Sequence, residues 1–159
     1  MEKTTITLYT ADEILKNWQG HRNLTRRTIE AFPEKELFEF SVGGMRPFAD
    51  LVKELLAIAV PGLKQIVTSE QAPFNEKADD LKTKQDLLRA WDESTTQINE
   101  WWPKISLAQF RASVNLFGQY EFPAIENIQY FIDNEIHHRA QGFVYLRVLG
   151  IQPPFFWER

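Results

Sequence analysis

With 159 residues, 43% of them hydrophobic and 25% charged, the chain has room for one domain with a sizeable core, and a single domain over residues 1–159 is expected. Eighteen Lys and Arg against 22 Asp and Glu leave a formal charge of -4, which provides no overall basic field for nucleic-acid phosphates. The absence of Cys excludes a disulfide framework, a thiolate zinc site and a cysteine nucleophile. Met1–Leu8 lacks an apolar signal core, and no run approaches the roughly 18 apolar residues of a membrane span, so a soluble cytoplasmic protein with no membrane or nucleic-acid partner is expected.

Thr10 is placed to cap a first helix running towards Phe32, with Asp12 and Glu13 in its first turn and Ile14, Trp18, Thr25, Ile29 and Phe32 at helical spacing. Pro33 ends it. From Glu34 to Met45 the periodicity fails and Gly43–Gly44 closes a packed connection containing a little extended structure. A second helix is predicted from Arg46–Pro47 through Phe48, Leu51, Leu55, Ile58 and Ala59, with Pro61–Gly62 kinking or ending it. A polar stretch from Ser69 to Lys82 follows. Thr83, with Asp86 three residues on, opens a third helix through Leu87, Leu88, Trp91, Ile98, Trp101 and Trp102, which Pro103 stops. Ile105 to Phe122 shows no regular pattern beyond a short helical turn and an extended piece through Val114, Leu116 and Phe117. Pro123 then opens a fourth helix through Ile125, Ile128, Ile132, Ile136, Phe143 and Leu146, ended by Gly150 and Pro153–Pro154. Four amphipathic helices imply an all-α helix bundle.

Function in such a bundle resides in polar side chains occupying core positions. At about 100° per residue, Phe131, His138 and Tyr145 fall nearly in line, with Asn134 one turn before His138 and Gln141 one turn after. On helix two, Glu54 sits between Leu51 and Ile58 on the same face. A carboxylate there needs a cation, a His or an amide as partner. Two readings fit Glu54, Asn134 and His138: a satisfied polar network, or a divalent-metal site with an open position for water or substrate. His137 is rotated away from His138 and is assigned to the surface, and His21 to a structural role near the core. Arg22, Arg26 and Arg27 form a local basic patch diluted by Glu30, Glu34 and Glu36, a solvated or salt-bridged face. Trp101–Trp102 and Phe155–Phe156–Trp157 are packing surface, and if exposed they favour self-association. With 21 aromatic residues, 12 Phe, 5 Trp and 4 Tyr, a homodimer is expected. No phosphate loop, nucleophile elbow or zincin motif occurs, and no catalytic residue is assigned.

The segment Asn134-Glu135-Ile136-His137-His138-Arg139-Ala140-Gln141, followed by Tyr145-Leu146-Arg147, Gly150 and Pro153-Pro154, resembles the fourth-helix signature of the DinB/YfiT-like superfamily. Arg46-Pro47-Phe48 leading into helix two matches as well, so the resemblance covers nearly the whole chain. It implies a four-helix bundle with an up-down-down-up arrangement, often dimeric, in which three histidines hold a divalent ion such as nickel or zinc. Characterised relatives include thiol-dependent transferases and isomerases. Here the family's helix-two histidine aligns with Glu54 and the first histidine of its helix-four pair with Asn134; only His138 is retained, and Ala140 replaces the usual Gly. The expected function is therefore that of a stress-associated, non-catalytic or ligand-binding bundle with a degenerate metal site at Glu54, Asn134 and His138. The alternative is a divalent-metal-dependent, small-thiol-linked transferase or hydrolase.

Overall fold

The computed structural model describes residues 8–71, 74 and 78–159. Part of the polar stretch between Ser69 and Lys82, and the start of the chain, lie outside them. Four long helices, α1 (Ala11–Ala31), α3 (Phe48–Thr68), α4 (Lys84–Trp101) and α6 (Ala124–Val148), form the body of the molecule. Between them lie two short helices, α2 (Glu34–Glu39) and α5 (Leu107–Arg111), a 3-10 turn at Trp102–Lys104, and a hairpin of β1 (Ser113–Leu116) and β2 (Tyr120–Pro123). None of the described helices is long and apolar enough to cross a membrane.

Local chemistry sets the helix ends. Thr10 accepts from the Glu13 N–H while the Glu13 carboxylate takes the Thr10 N–H at 2.8 Å, and Thr83 with Asp86 repeats this reciprocal cap on α4. Pro123 starts α6 without a side-chain cap. At its other end Gly150 turns left-handed at φ +76, and the Ile151 N–H reaches back to the Leu146 carbonyl at 2.8 Å. Of the two outcomes expected at Pro61, a kink or an end, the helix does not end: it passes through to Thr68, because Val60 before the interruption and Leu63 and Ile66 beyond it are buried in the core. The segment after Pro33 is the helical turn α2 rather than extended structure, its Leu37 buried. The unpatterned stretch before α6 resolves into α5 and an antiparallel hairpin pairing Leu116 with Tyr120, so the molecule is mostly rather than wholly helical.

Helix α1 packs on α4 and α6, and α3 packs on the same two helices, which leaves α1 and α3 diagonal to each other. Along α1, Trp18 meets Trp102 and Phe131 at ring separations of 6.2 Å, Gln19 bonds Asn99, and Arg26 chelates Asp92 through bonds of 2.7 and 3.1 Å. Helices α3 and α6 approach closely where glycines permit it. A Cβ on Gly62 would lie 2.5 Å from the Phe131 ring, and one on Gly142 would lie 2.6 Å from Phe48.

The apolar core has two parts. One gathers Trp18, Leu63, Ile98, Trp102, Ile128, Phe131 and Ile132; the other gathers Ile29, Phe32, Phe48, Leu55, Leu87, Trp91, Tyr145 and Leu146. On α1, α4 and α6 the residues between these two sets include polar ones, His21, Arg22 and Thr25, then Ser94 and Thr95, then Asn134, Glu135, His138 and Arg139, and on α3 Glu54, beside Leu55 of the second set, joins them through His138. A polar belt thus crosses the bundle at mid-height. Ile136, expected in the core series of α6, is 37% exposed; Glu135 beside it is buried instead.

Candidate functional site

The residues singled out on α3 and α6 converge. The Nε2 atom of His138 and the Nδ2 atom of Asn134 lie 3.0 and 3.1 Å from the same carboxylate oxygen of Glu54, Oε1. The other oxygen, Oε2, pairs with the guanidinium of Arg46, in the segment entering α3. On its far side the His138 ring presents Nδ1 to Gln141 Oε1 at 3.2 Å, and the Gln141 amide nitrogen faces His137 Nε2 at 3.3 Å. Tyr145 donates its hydroxyl to the Arg46 carbonyl at 2.9 Å and so ties the start of α3 to the end of α6. The His138 contact, helped by Arg46 and Asn134 and opposed by burial, holds the Glu54 carboxyl down at about 2, so it is ionised across the neutral range.

This donor set does not fit a nickel or zinc ion. A metal needs the lone pair of the imidazole nitrogen, whereas an ionised carboxylate oxygen 3.0 Å from Nε2 calls for a proton on that nitrogen. Asn134 turns its NH2 group, not its carbonyl, towards Glu54, and the positive charge beside the carboxylate is supplied by Arg46. Among the described residues no group of three or more His, Asp or Glu side chains comes together in a way that could hold an ion.

Glu54 also forms part of the wall of a cavity of about 390 Å³. The remaining wall is Ile58 and Phe131 of the bundle, Glu126, Asn127 and Tyr130 from the first turns of α6, the hairpin residues Leu116, Phe117, Tyr120 and Phe122, and Phe74. The hairpin is held over the cavity by two amides. Gln65 on α3 donates to the Asn115 carbonyl at 2.9 Å and accepts from the Phe117 N–H at 3.1 Å, and Asn127 on α6 donates to the Val114 and Phe122 carbonyls. Phe117 sits at φ +55, a left-handed conformation unusual for a side chain of its size, and its ring packs on Phe74 at 5.3 Å. Composition and periodicity did not reveal this cavity, because the strands that roof it are short and carry no alternating pattern.

A second polar cluster, between α6 and α1, was not foreseen. Glu135, wholly buried, accepts from Thr25 Oγ1 at 2.7 Å and from Trp18 Nε1 at 3.3 Å, with Arg22 at 3.8 Å and Arg139 at 4.0 Å. Arg22 is not part of an exposed basic patch: its guanidinium is buried, lies 3.4 Å over the Trp91 ring and donates to the Trp91 carbonyl and Thr95. Arg26 and Arg27 do form partly exposed ion pairs, with Glu30, Asp92 and Glu158. Burial pushes the Glu135 carboxyl up, against the pull of Arg22, and lowers Arg22 to about 10. His21 stands between Arg139 and Arg159, 3.0 and 2.9 Å from them, and burial together with these two cations lowers it to about 4. The sequence did carry a signal for this cluster: Ile128, Ile132, Glu135, Arg139, Gly142 and Leu146 recur at spacings of three and four, which puts two charges on the buried stripe.

A bundle of four long helices with a carboxylate-centred polar group beside an aromatic cavity defines the class of molecule. The chain belongs to the DinB family, which it matches over residues 1–158. Among solved structures it is similar to a DinB-like protein of Bacillus subtilis, YjoA, at 19% identity and TM-score 0.70, over 92% of this chain and 99% of that one. It is also similar to a DinB-like protein of Bacillus cereus at 14% identity and TM-score 0.74, over 92% and 97% of the two chains. A mycothiol-dependent maleylpyruvate isomerase shares the fold at 15% identity and TM-score 0.64, over 84% of this chain and 60% of that one. No curated protein sequence matches the chain.

Proposed function

We propose that this DinB-family chain is a non-catalytic, small-molecule-binding bundle in which an ion-paired network replaces the metal centre of relatives. The observation that carries this reading is the saturation of Glu54: both carboxylate oxygens are engaged by Arg46, Asn134 and His138 while the residue forms part of an aromatic cavity. The cavity lies within the roughly 300–1,000 Å³ range of small-molecule sites. The pairings of Trp18 with Trp102, Arg26 with Asp92, and Glu54 with Asn134 and His138 support an up-down-down-up order of α1, α3, α4 and α6. Exposed Ile136, Val144 and Val148 on α6, with Phe155, Phe156 and Trp157 beyond it, support a homodimer.

Elemental analysis of protein purified without a polyhistidine tag, combined with an NMR screen of small aromatic fragments, tests the reading. No stoichiometric metal is expected, and fragments should perturb Phe117, Tyr120 and Tyr130. Stoichiometric nickel or zinc would overturn it and favour the second reading, a metal-dependent, small-thiol-linked transferase or hydrolase. What favours that second reading is the convergence of Glu54, Asn134 and His138 from two helices.

A further inference from the structure

The cavity wall has an unusual balance of polar groups. Among the described residues no Lys, Arg or His contributes to it: its polar members are Glu54, Glu126, Asn127, Tyr120 and Tyr130. Arg46 pairs with Glu54, and His138 contacts it, from outside this wall. Asn127 donates from its NH2 group to the carbonyls of Val114 and Phe122; a carbonyl can only accept, so the amide orientation is settled. Its own carbonyl oxygen receives no donor among the described residues. Glu126 is exposed and forms no ion pair among them. Apart from the two tyrosine hydroxyls, which both donate and accept, the polar atoms of the wall that are free for a ligand are acceptors.

The rest of the wall is ring surface. Phe74 packs with Phe117 at 5.3 Å, Tyr120 lies nearly parallel to Tyr130 at 6.4 Å, and Phe122 and Phe131 complete the enclosure. Aromatic faces carry partial negative charge and attract cations, most strongly where water is displaced. A ligand carboxylate or phosphate would meet Glu54 and Glu126, with no positive side chain among the described wall residues to receive it. A neutral ligand would gain the apolar area and hydrogen bonds, but no charge interaction with the rings or Glu126.

We propose that this cavity binds a small hydrophobic organic cation, an alkyl- or arylammonium, with its charged head among the aromatic rings, Glu126 and the Asn127 carbonyl. This deepens the ligand-binding reading above and rests on it. It also sets the site apart from one built around a resident metal ion, which would repel a cationic ligand.

Benzyltrimethylammonium, its neutral isostere neopentylbenzene and the anion phenylacetate, titrated into the intact protein by NMR at fixed ionic strength, separate the possibilities. The cation should bind about tenfold more tightly than the isostere, the range expected for a partly desolvated cation on aromatic faces, and phenylacetate should be weakest. Glu126→Gln, at an exposed position where folding is not at risk, should weaken the cation severalfold and leave the isostere unchanged. Equal or tighter binding of the isostere or of phenylacetate would overturn the cation preference while leaving a ligand cavity in place. Failure of all three to perturb the cavity residues would sink both this proposal and the ligand-binding reading.

Discussion

Substituting Glu54 by Gln removes one charge and keeps the side chain's size, so its consequence can be worked from the contacts of that carboxylate. In the folded chain the contacts to His138, Arg46 and Asn134 lower the carboxyl from its ordinary value near 4.5 to about 2. Each tenfold change in proton affinity corresponds to about 1.4 kcal/mol, so full expression of this displacement would amount to about 3 kcal/mol. Glu54 is partly open to the cavity, and solvent screening reduces the figure to about 1.5 kcal/mol. Because the folded value is depressed, the stabilisation is present above about pH 4.5 and is lost as the pH falls towards about 2. Urea unfolding of both proteins at about pH 7 and about pH 2.5 isolates the effect, since the other carboxylates are common to the pair. Glu54→Gln should be less stable by about 1.5 kcal/mol at the higher pH, and most of the gap should close at the lower. A gap of the same size at both values would refute an electrostatic role for Glu54.

Other outcomes follow from the same contacts. Glu54→His combined with Asn134→His should assemble three imidazoles with His138, and nickel or zinc at a hundredfold excess over Kd should then raise stability by about 3 kcal/mol in thermal melts, most of it lost on adding His138→Ala. An unresponsive but folded double variant would show that the three positions do not converge. Glu135→Gln removes the nearest countercharge of buried Arg22 and Arg139 and should cost about 3 kcal/mol or more by denaturant titration; a change below about 1 kcal/mol would mean the cluster is water-accessible. His21, lowered to about 4 from an ordinary 6.5, binds a proton more readily in the unfolded chain, so stability should fall as the pH drops through that interval. His21→Asn should flatten that slope, and an unchanged slope would place the titrating group elsewhere.

The long helices were legible because their signals are local: Thr10 with Glu13, Thr83 with Asp86, Pro123 and Gly150 all act within one turn of the ends they define. Pro61 does not stop α3 because its local preference is overridden by burial of the helix on both sides of it. In the stretch before α6 a helical turn and an extended piece were legible, but the pairing into a hairpin was not, because its shape is enforced from a distance, by Gln65 and Asn127 reaching backbone carbonyls on other elements. Convergence of Glu54, Asn134 and His138 could be expected from helical phase and family resemblance. The role of Arg46 could not, since a long side chain outside the helix has no phase to read. Glu135 and Arg139 lay in a readable stripe, but an i,i+4 pair of opposite charges is so common on helix surfaces that its spacing alone does not announce burial.

The placement of polar residues on α6 bears on how that helix is held. Asn134 and His138 engage α3, while Glu135 and Arg139, one position further along the helical path, engage α1. Apolar packing tolerates a small turn of a helix about its own axis, because one methyl group can replace another; hydrogen bonds and ion pairs on two sides do not. Helix α6 therefore behaves as a spindle gripped by two jaws, its azimuth set independently by each. Tyr130 and Glu126 ride on the same spindle at the cavity, so the shape of that cavity is tied to charges buried on another side of the helix.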